Sequence, residues 1–323
     1  MNEELFSRKE TVKDIFFIIE DKLKKGLFRE SMEDFDRIMA MDFEYADLYD
    51  NLSCVKFWIN RLDNLEKLKE DYLEYCKFLD SSYKRFCRFI RGKDYKTDLI
   101  SIKAIHYFVY NKIIELLMSE DINGKEELHL LSNAFIELED YSKGLKAYEY
   151  LNTIEPYNSN TLGFIAEINH KLGDEKKAKM YIREALFYEP LDIEFERITI
   201  DAVREIRDII IKRGVHNSSR EEIINWMSAY GELMNILDIK KELSKEEEIE
   251  LRKNISRLEA DYRKFKLRDK VAPKLLSSYA FLTTCLIMRH NGSDMKEIEI
   301  WGRKMATIDK DLLQYYIKIL NKR

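Results

Sequence analysis

Five histidines, four cysteines and several dense carboxylate runs are the side chains from which this chain could build catalysis or metal binding. The histidines (His106, His129, His170, His216, His290) are scattered singly. None belongs to an HExxH motif or pairs with a cysteine at a ligand spacing, so no metal site is expected. Cys54, Cys76, Cys87 and Cys285 form no CxxC pair and sit in apolar helical surroundings. They read as reduced, buried small hydrophobes. GxGxxG, P-loop and G-x-S-x-G patterns are absent from the sequence. Runs such as the glutamates at 246–248 read as solvated helix surface. The expectation is a non-enzyme with no catalytic residues and no cofactor.

One stretch mixes cations with aromatics. In residues 83–93, Lys84, Arg85, Arg88 and Arg91 alternate with Phe86, Phe89 and Ile90. On a helix, Lys84, Arg88 and Arg91 share a face that could meet phosphates or an acidic partner. The plainer reading is an amphipathic helix whose cations balance the acids at 66–74. We favour the plainer reading.

The elements carrying these residues follow from composition. Only 3 Pro and 10 Gly punctuate 323 residues, while 36% are charged and 45% hydrophobic. That is too few turn formers for a β fold, and it is the make-up of packed amphipathic helices. A net charge of −5 and a pI near 5.8 do not provide the overall basic field of a nucleic-acid binder. The N-terminus, with acids at 3 and 4, has no apolar run leading to a cleavage site, and no stretch reads as a membrane span. A soluble cytoplasmic protein without membrane insertion is expected. Low Ala with high Lys, Ile and Tyr hints at an AT-rich bacterial source.

Pro156 and Pro190 stand 34 residues apart. Ahead of Pro190 lie Leu162, Ile165, Ala166, Gly173, Asp174, Ala178, Ile182, Ala185 and Leu186. The same offsets ahead of Pro156 hold Leu128, Leu131, Ser132, Glu139, Asp140, Gly144, Tyr148, Leu151 and Asn152. Small residues recur where helices would cross closely, with large apolar ones where they would pack. The pattern resembles the tetratricopeptide (TPR) repeat family. It is best matched over residues 125–191 and degenerate over 11–60 and 274–308.

The fold expected is all-α, an α-solenoid of TPR-like helix hairpins interrupted by longer irregular helices. A first helix pair is expected over 11–41 with Gly26 in its turn. Longer helices follow over 63–120, broken at Gly92 and KDYKT. Further helices are expected at 193–212, 219–237 and 244–265, the last two opened by the S-x-x-E pairs Ser219/Glu222 and Ser244/Glu247. Pro273 opens the last section, and Asn291–Gly292 is expected as another turn. Three regions result: 1–122, 123–191 and 192–323.

In the TPR family the first helix of each repeat lines a concave groove. That register falls on Glu126, His129, Asn133 and Ile136, then on Asn160, Gly163, Glu167 and His170. The resemblance therefore implies a solvent-facing peptide groove using His129, Asn133, Ile136, Asn160, Glu167 and His170. Replacing Asn133 and Glu167 together should then leave stability nearly intact. The two-carboxylate clamp of chaperone-binding members is missing, because Phe164 replaces its second Asn, and Glu194 and Ile198 replace its cations. The function expected is a protein- or peptide-binding scaffold or adaptor in a multiprotein assembly of the bacterial cell-envelope, secretion or flagellar-motor type. Two alternatives stand beside it: a regulatory sensor of a small peptide or metabolite, and a nucleic-acid-associated protein using the basic strip. The sequence leaves homo-oligomers open.

Overall fold

Helix starts are written locally and form as the sequence directs. Thr11 Oγ1 accepts the Asp14 N–H at 3.3 Å, while the Asp14 carboxylate accepts the Thr11 N–H at 2.9 Å. This capping box satisfies two otherwise orphaned donors. Ser244 and Glu247 form the same reciprocal pair, at 2.9 and 3.1 Å. Ser219 accepts the Glu222 N–H at 3.1 Å, but the Glu222 carboxylate turns to the Ser218 N–H at 2.9 Å instead.

The protein, a computed structural model, is described over residues 11–237, 243–290 and 295–320. The expected leader-free N-terminus and the Asn291–Gly292 turn lie outside the described residues. Among those described the fold is all-α, of the packed helix-hairpin kind expected, without strands. The first helices are α1 (Val12–Lys24), α2 (Ser31–Met41), α3 (Leu48–Lys67), α4 (Tyr72–Lys93), α5 (Ile100–Met118), α6 (Lys125–Glu137) and α7 (Tyr141–Ile154). There follow α8 (Ser159–Lys171), α9 (Glu175–Tyr188), α10 (Asp201–Arg213), α11 (Arg220–Leu233) and α12 (Lys245–Tyr262). The last are α13 (Arg268–His290), α14 (Met295–Ala306) and α15 (Lys310–Leu320).

By contacts the chain forms two compact units, Met1–Ala147 and Tyr148–Arg323. In the first, α5 is apolar nearly all round and is packed by α1, α3, α4 and α6. A helix without a polar face has to be buried this way. Phe28, Trp58 and Phe108 meet there, Phe28 lying edge-on to Phe108 at 5.1 Å. In the second unit α11 touches α9, α10, α13 and α15, and α13 also meets α12 and α14. One continuous core runs from Leu162 and Ala166 on α8 to Tyr316 on α15. The region expected from 192 onward thus shares its core with α8 and α9.

Three local expectations are corrected. Residues 193–200 form no α-helix; single 3-10 turns at Pro190–Asp192 and Phe195–Arg197 lead to α10. Pro273 does not open its helix, since α13 starts at Arg268 and carries the proline inside it. Phe265–Met288 is long and apolar enough to cross a membrane, with a mean hydropathy of 1.4. In its most apolar 18-residue window 72% of the residues are buried within the fold, as suits a core helix. Ala166 and Ala185 are fully buried, and Cys54, Cys76 and Cys285 are buried and outside any disulfide, Cys87 being half-buried. Burial pushes the Cys54 and Cys76 thiols up to about 12.

The 34-residue spacing reappears as a pair of matching turns. Glu139 and Gly173 both have left-handed backbones, φ 60° and 82°. The following N–H reaches back in each, Asp140 to the Phe135 carbonyl at 2.9 Å and Asp174 to the Asn169 carbonyl at 2.8 Å. Glycine adopts this conformation freely, whereas an L side chain is strained by about 1 kcal/mol or more. Glu139 is exposed. Glu139→Gly is therefore expected to raise stability by about 1 kcal/mol, read as a higher thermal midpoint.

Candidate functional site

The α8 face that the repeat register assigns to a groove is covered by the chain itself. Residues 190–200 lie along it as a strap. Asn160 accepts the Glu194 N–H at 3.0 Å and donates to the Glu194 carboxylate at 3.3 Å. The strap lies directly over Gly163: a Cβ there would stand 3.4 Å from Ile193 Cγ2 and 3.8 Å from Ile198 Cδ1, ordinary contact distances. The Arg197 guanidinium lies 4.6 Å from the centre of the Phe164 ring. Glu167 accepts the Thr199 N–H at 2.6 Å and the Thr199 hydroxyl at 2.5 Å, with Lys171 Nζ at 3.4 Å.

Glu167 is therefore buried, 4% exposed, and serves as an anchor for the strap. This corrects the expected solvent-facing placement and the stability-neutral replacement that went with it. A buried carboxylate is tolerable because three donors surround it. Removing it leaves those donors without their acceptor. Glu167→Ala is expected to destabilise the second unit by about 2 kcal/mol and to speed hydrogen exchange at Thr199.

Asn160 and Glu167 are thus brought together on the strap. His170 stands half-buried one turn further along α8, 2.6 Å from the Glu175 carboxylate on α9. His129, Asn133 and Ile136 lie half-buried on α6 in the first unit. On α4, Lys84, Arg85, Arg88 and Arg91 are exposed while Phe86 and Ile90 are buried. The helix is amphipathic as expected, but its cations do not balance the acids at 66–74 in the way expected. Lys84 pairs with Asp80 of its own helix at 2.9 Å, while Glu74 pairs with Lys77 at 3.1 Å and Glu66 with Lys69.

The strap has a second side, which helps to line an open groove of about 630 Å³ together with α10 and the start of α11. Its lining includes Val203, Met227, Ile198 and Ile223, the first two buried and the others half-buried. Arg204, Arg207 and Arg220 also line it, with side chains 60%, 56% and 70% exposed. Their nearest carboxylates are loosely placed for two of them: Asp201 lies 3.3 Å from Arg204, and Asp208 lies 3.7 Å from Arg207. Arg220 pairs with Glu196 and holds that carboxyl below its usual range. Sequence reading passed over these arginines. The i,i+3 pair on α10 and an arginine directly after the Ser219 cap were the available signals.

One wall of the groove is the 214–219 loop, held by His216. Its left-handed backbone, φ 62°, turns the imidazole onto Trp226, ring centres 3.4 Å apart. Nε2 lies 3.2 Å from Asp309 and Nδ1 lies 3.8 Å from Glu222. Arg213 donates to the Tyr230 hydroxyl at 2.8 Å and stands 4.0 Å from Asp309. Burial pushes the Asp309 carboxyl up, but hydrogen bonds from His216 and the Leu312 N–H, with the Arg213 charge, bring it below its usual range. Among the described residues no three His, Cys, Asp or Glu side chains are grouped to hold a metal ion.

No family model, curated protein or solved structure matches this chain.

Proposed function

We propose that this protein is a non-enzymatic binding scaffold, and that its groove beside α10 receives a short segment of a partner protein. The single observation carrying this reading is the groove's make-up, an apolar floor at Val203 and Met227 beneath Arg204, Arg207 and Arg220. Apolar anchors supply most of the energy of such recognition, and an arginine rim selects carboxylates. The occupant is therefore a segment with acidic residues beside an apolar side chain. The strap on α8 offers an intramolecular parallel: an irregular segment held through its backbone N–H groups by Asn160 and Glu167. In this reading the 34-residue recurrence makes the chain a TPR-like adaptor of a cytoplasmic assembly.

Selection from a random peptide library against the purified protein tests it. Enriched sequences should combine Asp or Glu with Leu, Ile or Phe. Arg204→Glu with Arg207→Glu should weaken their binding at least tenfold with an unchanged melt, since both side chains are exposed. No enrichment, or enriched peptides indifferent to the double reversal, would remove this groove from consideration. A small-molecule sensor remains the second reading, because about 630 Å³ lies within the size range of metabolite pockets.

A further inference from the structure

The turn between α12 and α13 presents a combination found nowhere else among the described residues. Phe265 is 89% exposed, the most exposed large hydrophobic side chain described, and Leu267 beside it is 37% exposed. Every residue from 263 to 270 is exposed. Within those eight positions stand Arg263, Lys264, Lys266, Arg268 and Lys270 against Asp269 alone, a net of +4 in a chain of net −5.

Local structure explains why the turn stands out in this way. The capped helix α12 ends at Tyr262, and a 3-10 turn, Phe265–Leu267, leads directly into α13. The whole turn is exposed, and Phe265 is left outside the core. The flanking charges are only lightly engaged. Lys264 reaches Asp261 at 2.7 Å with its side chain 64% exposed, and the Arg268 guanidinium lies 5.1 Å from the centre of the Tyr262 ring. Folding thus gives Phe265 no apolar neighbourhood, and water is its environment in the free protein.

We propose that this turn docks the protein on an anionic lipid surface. Phe265 and Leu267 enter the headgroup–acyl boundary, and the five cations lie over lipid phosphates. A protein hot spot seats an aromatic in a walled pocket on a partner and surrounds it with neutral contacts that exclude water. A convex tip carrying one aromatic inside a ring of lysines and arginines instead suits a soft, negatively charged surface. Long cationic side chains reach phosphates while their methylene stems rest on the apolar boundary. This is docking at the interface; α13 itself stays within the core.

Co-sedimentation of the full-length protein with phosphatidylglycerol/phosphatidylcholine vesicles tests it. Binding is expected to the mixed vesicles and not to pure phosphatidylcholine, and to fall as salt rises. Lys264→Glu with Lys266→Glu should lower the apparent affinity by more than tenfold, each cation being worth roughly fivefold near such a surface. Phe265→Ala should weaken binding severalfold, whereas Phe265→Trp should retain it. Because all three positions are exposed, the melts should match the wild type, which separates lost docking from lost folding. Equal binding by the charge-reversal variant, or no binding to anionic vesicles, overturns the proposal. Failure on vesicles with retained, charge-dependent binding to polyglutamate would assign the turn to an acidic protein instead.

Discussion

Asp309→Ala should lower the stability of the second unit by about 3 kcal/mol at neutral pH. Asp309 holds two elements at once. One carboxylate oxygen accepts the Leu312 N–H at 2.8 Å and caps α15, and the other faces His216 at 3.2 Å. Its side chain is only 10% exposed. Truncation removes the cap, worth about 1 kcal/mol, and strands the nearby His216 and Arg213. The Asp309 carboxyl is held below its usual value, so its contribution is complete above the unfolded value near 4 and is lost as pH falls through the folded value. Urea melts of wild type and variant should therefore differ most at neutral pH and converge below about pH 4. A constant gap down to the acid limit would show that Asp309 acts through packing and not through its charge.

Gly26→Ala is the corresponding test in the first unit, with an expected loss of about 2–4 kcal/mol. Two effects add. The backbone at Gly26 is left-handed, φ 78°, which a Cβ strains by about 1 kcal/mol. That Cβ would also stand 2.5 Å from Phe108 Cε2, inside any allowed contact. Phe108 cannot simply step aside, because its ring lies edge-on to Phe28, which stacks on Trp58 with centres 6.1 Å apart. The strain therefore reaches the centre of the aromatic core. The check is a thermal melt followed by near-ultraviolet dichroism, where the aromatic signal should weaken before helix content falls. An unchanged midpoint would mean that the α1–α2 turn can relax away from α5.

What the sequence made legible was mainly local. Ser219 with Glu222 and Ser244 with Glu247 announced helix starts, because a cap needs only residues three apart. The matched turns at Glu139 and Gly173 were readable from a 34-residue period. The strap was not. Residues 193–212 carry enough apolar period to read as one helix, yet the Thr199 N–H is taken by Glu167, 32 positions upstream. The β-branched run Ile198-Thr199-Ile200 was the local warning against a helix there. Likewise His216 looked solitary because its partner Asp309 is 93 residues away. The groove arginines escaped notice since nothing local distinguishes a rim cation from an ordinary solvated one.

The strap also sets a threshold for anything that might take its place on α8. A segment joined to its own seat by a short connection competes at an effective concentration on the order of millimolar, and it is never depleted by dilution. A free peptide making the same contacts as Glu194 and Thr199 would have to reach roughly that concentration to fill half the sites. Occupation of that face by a dilute outsider therefore requires contacts that the resident segment does not make.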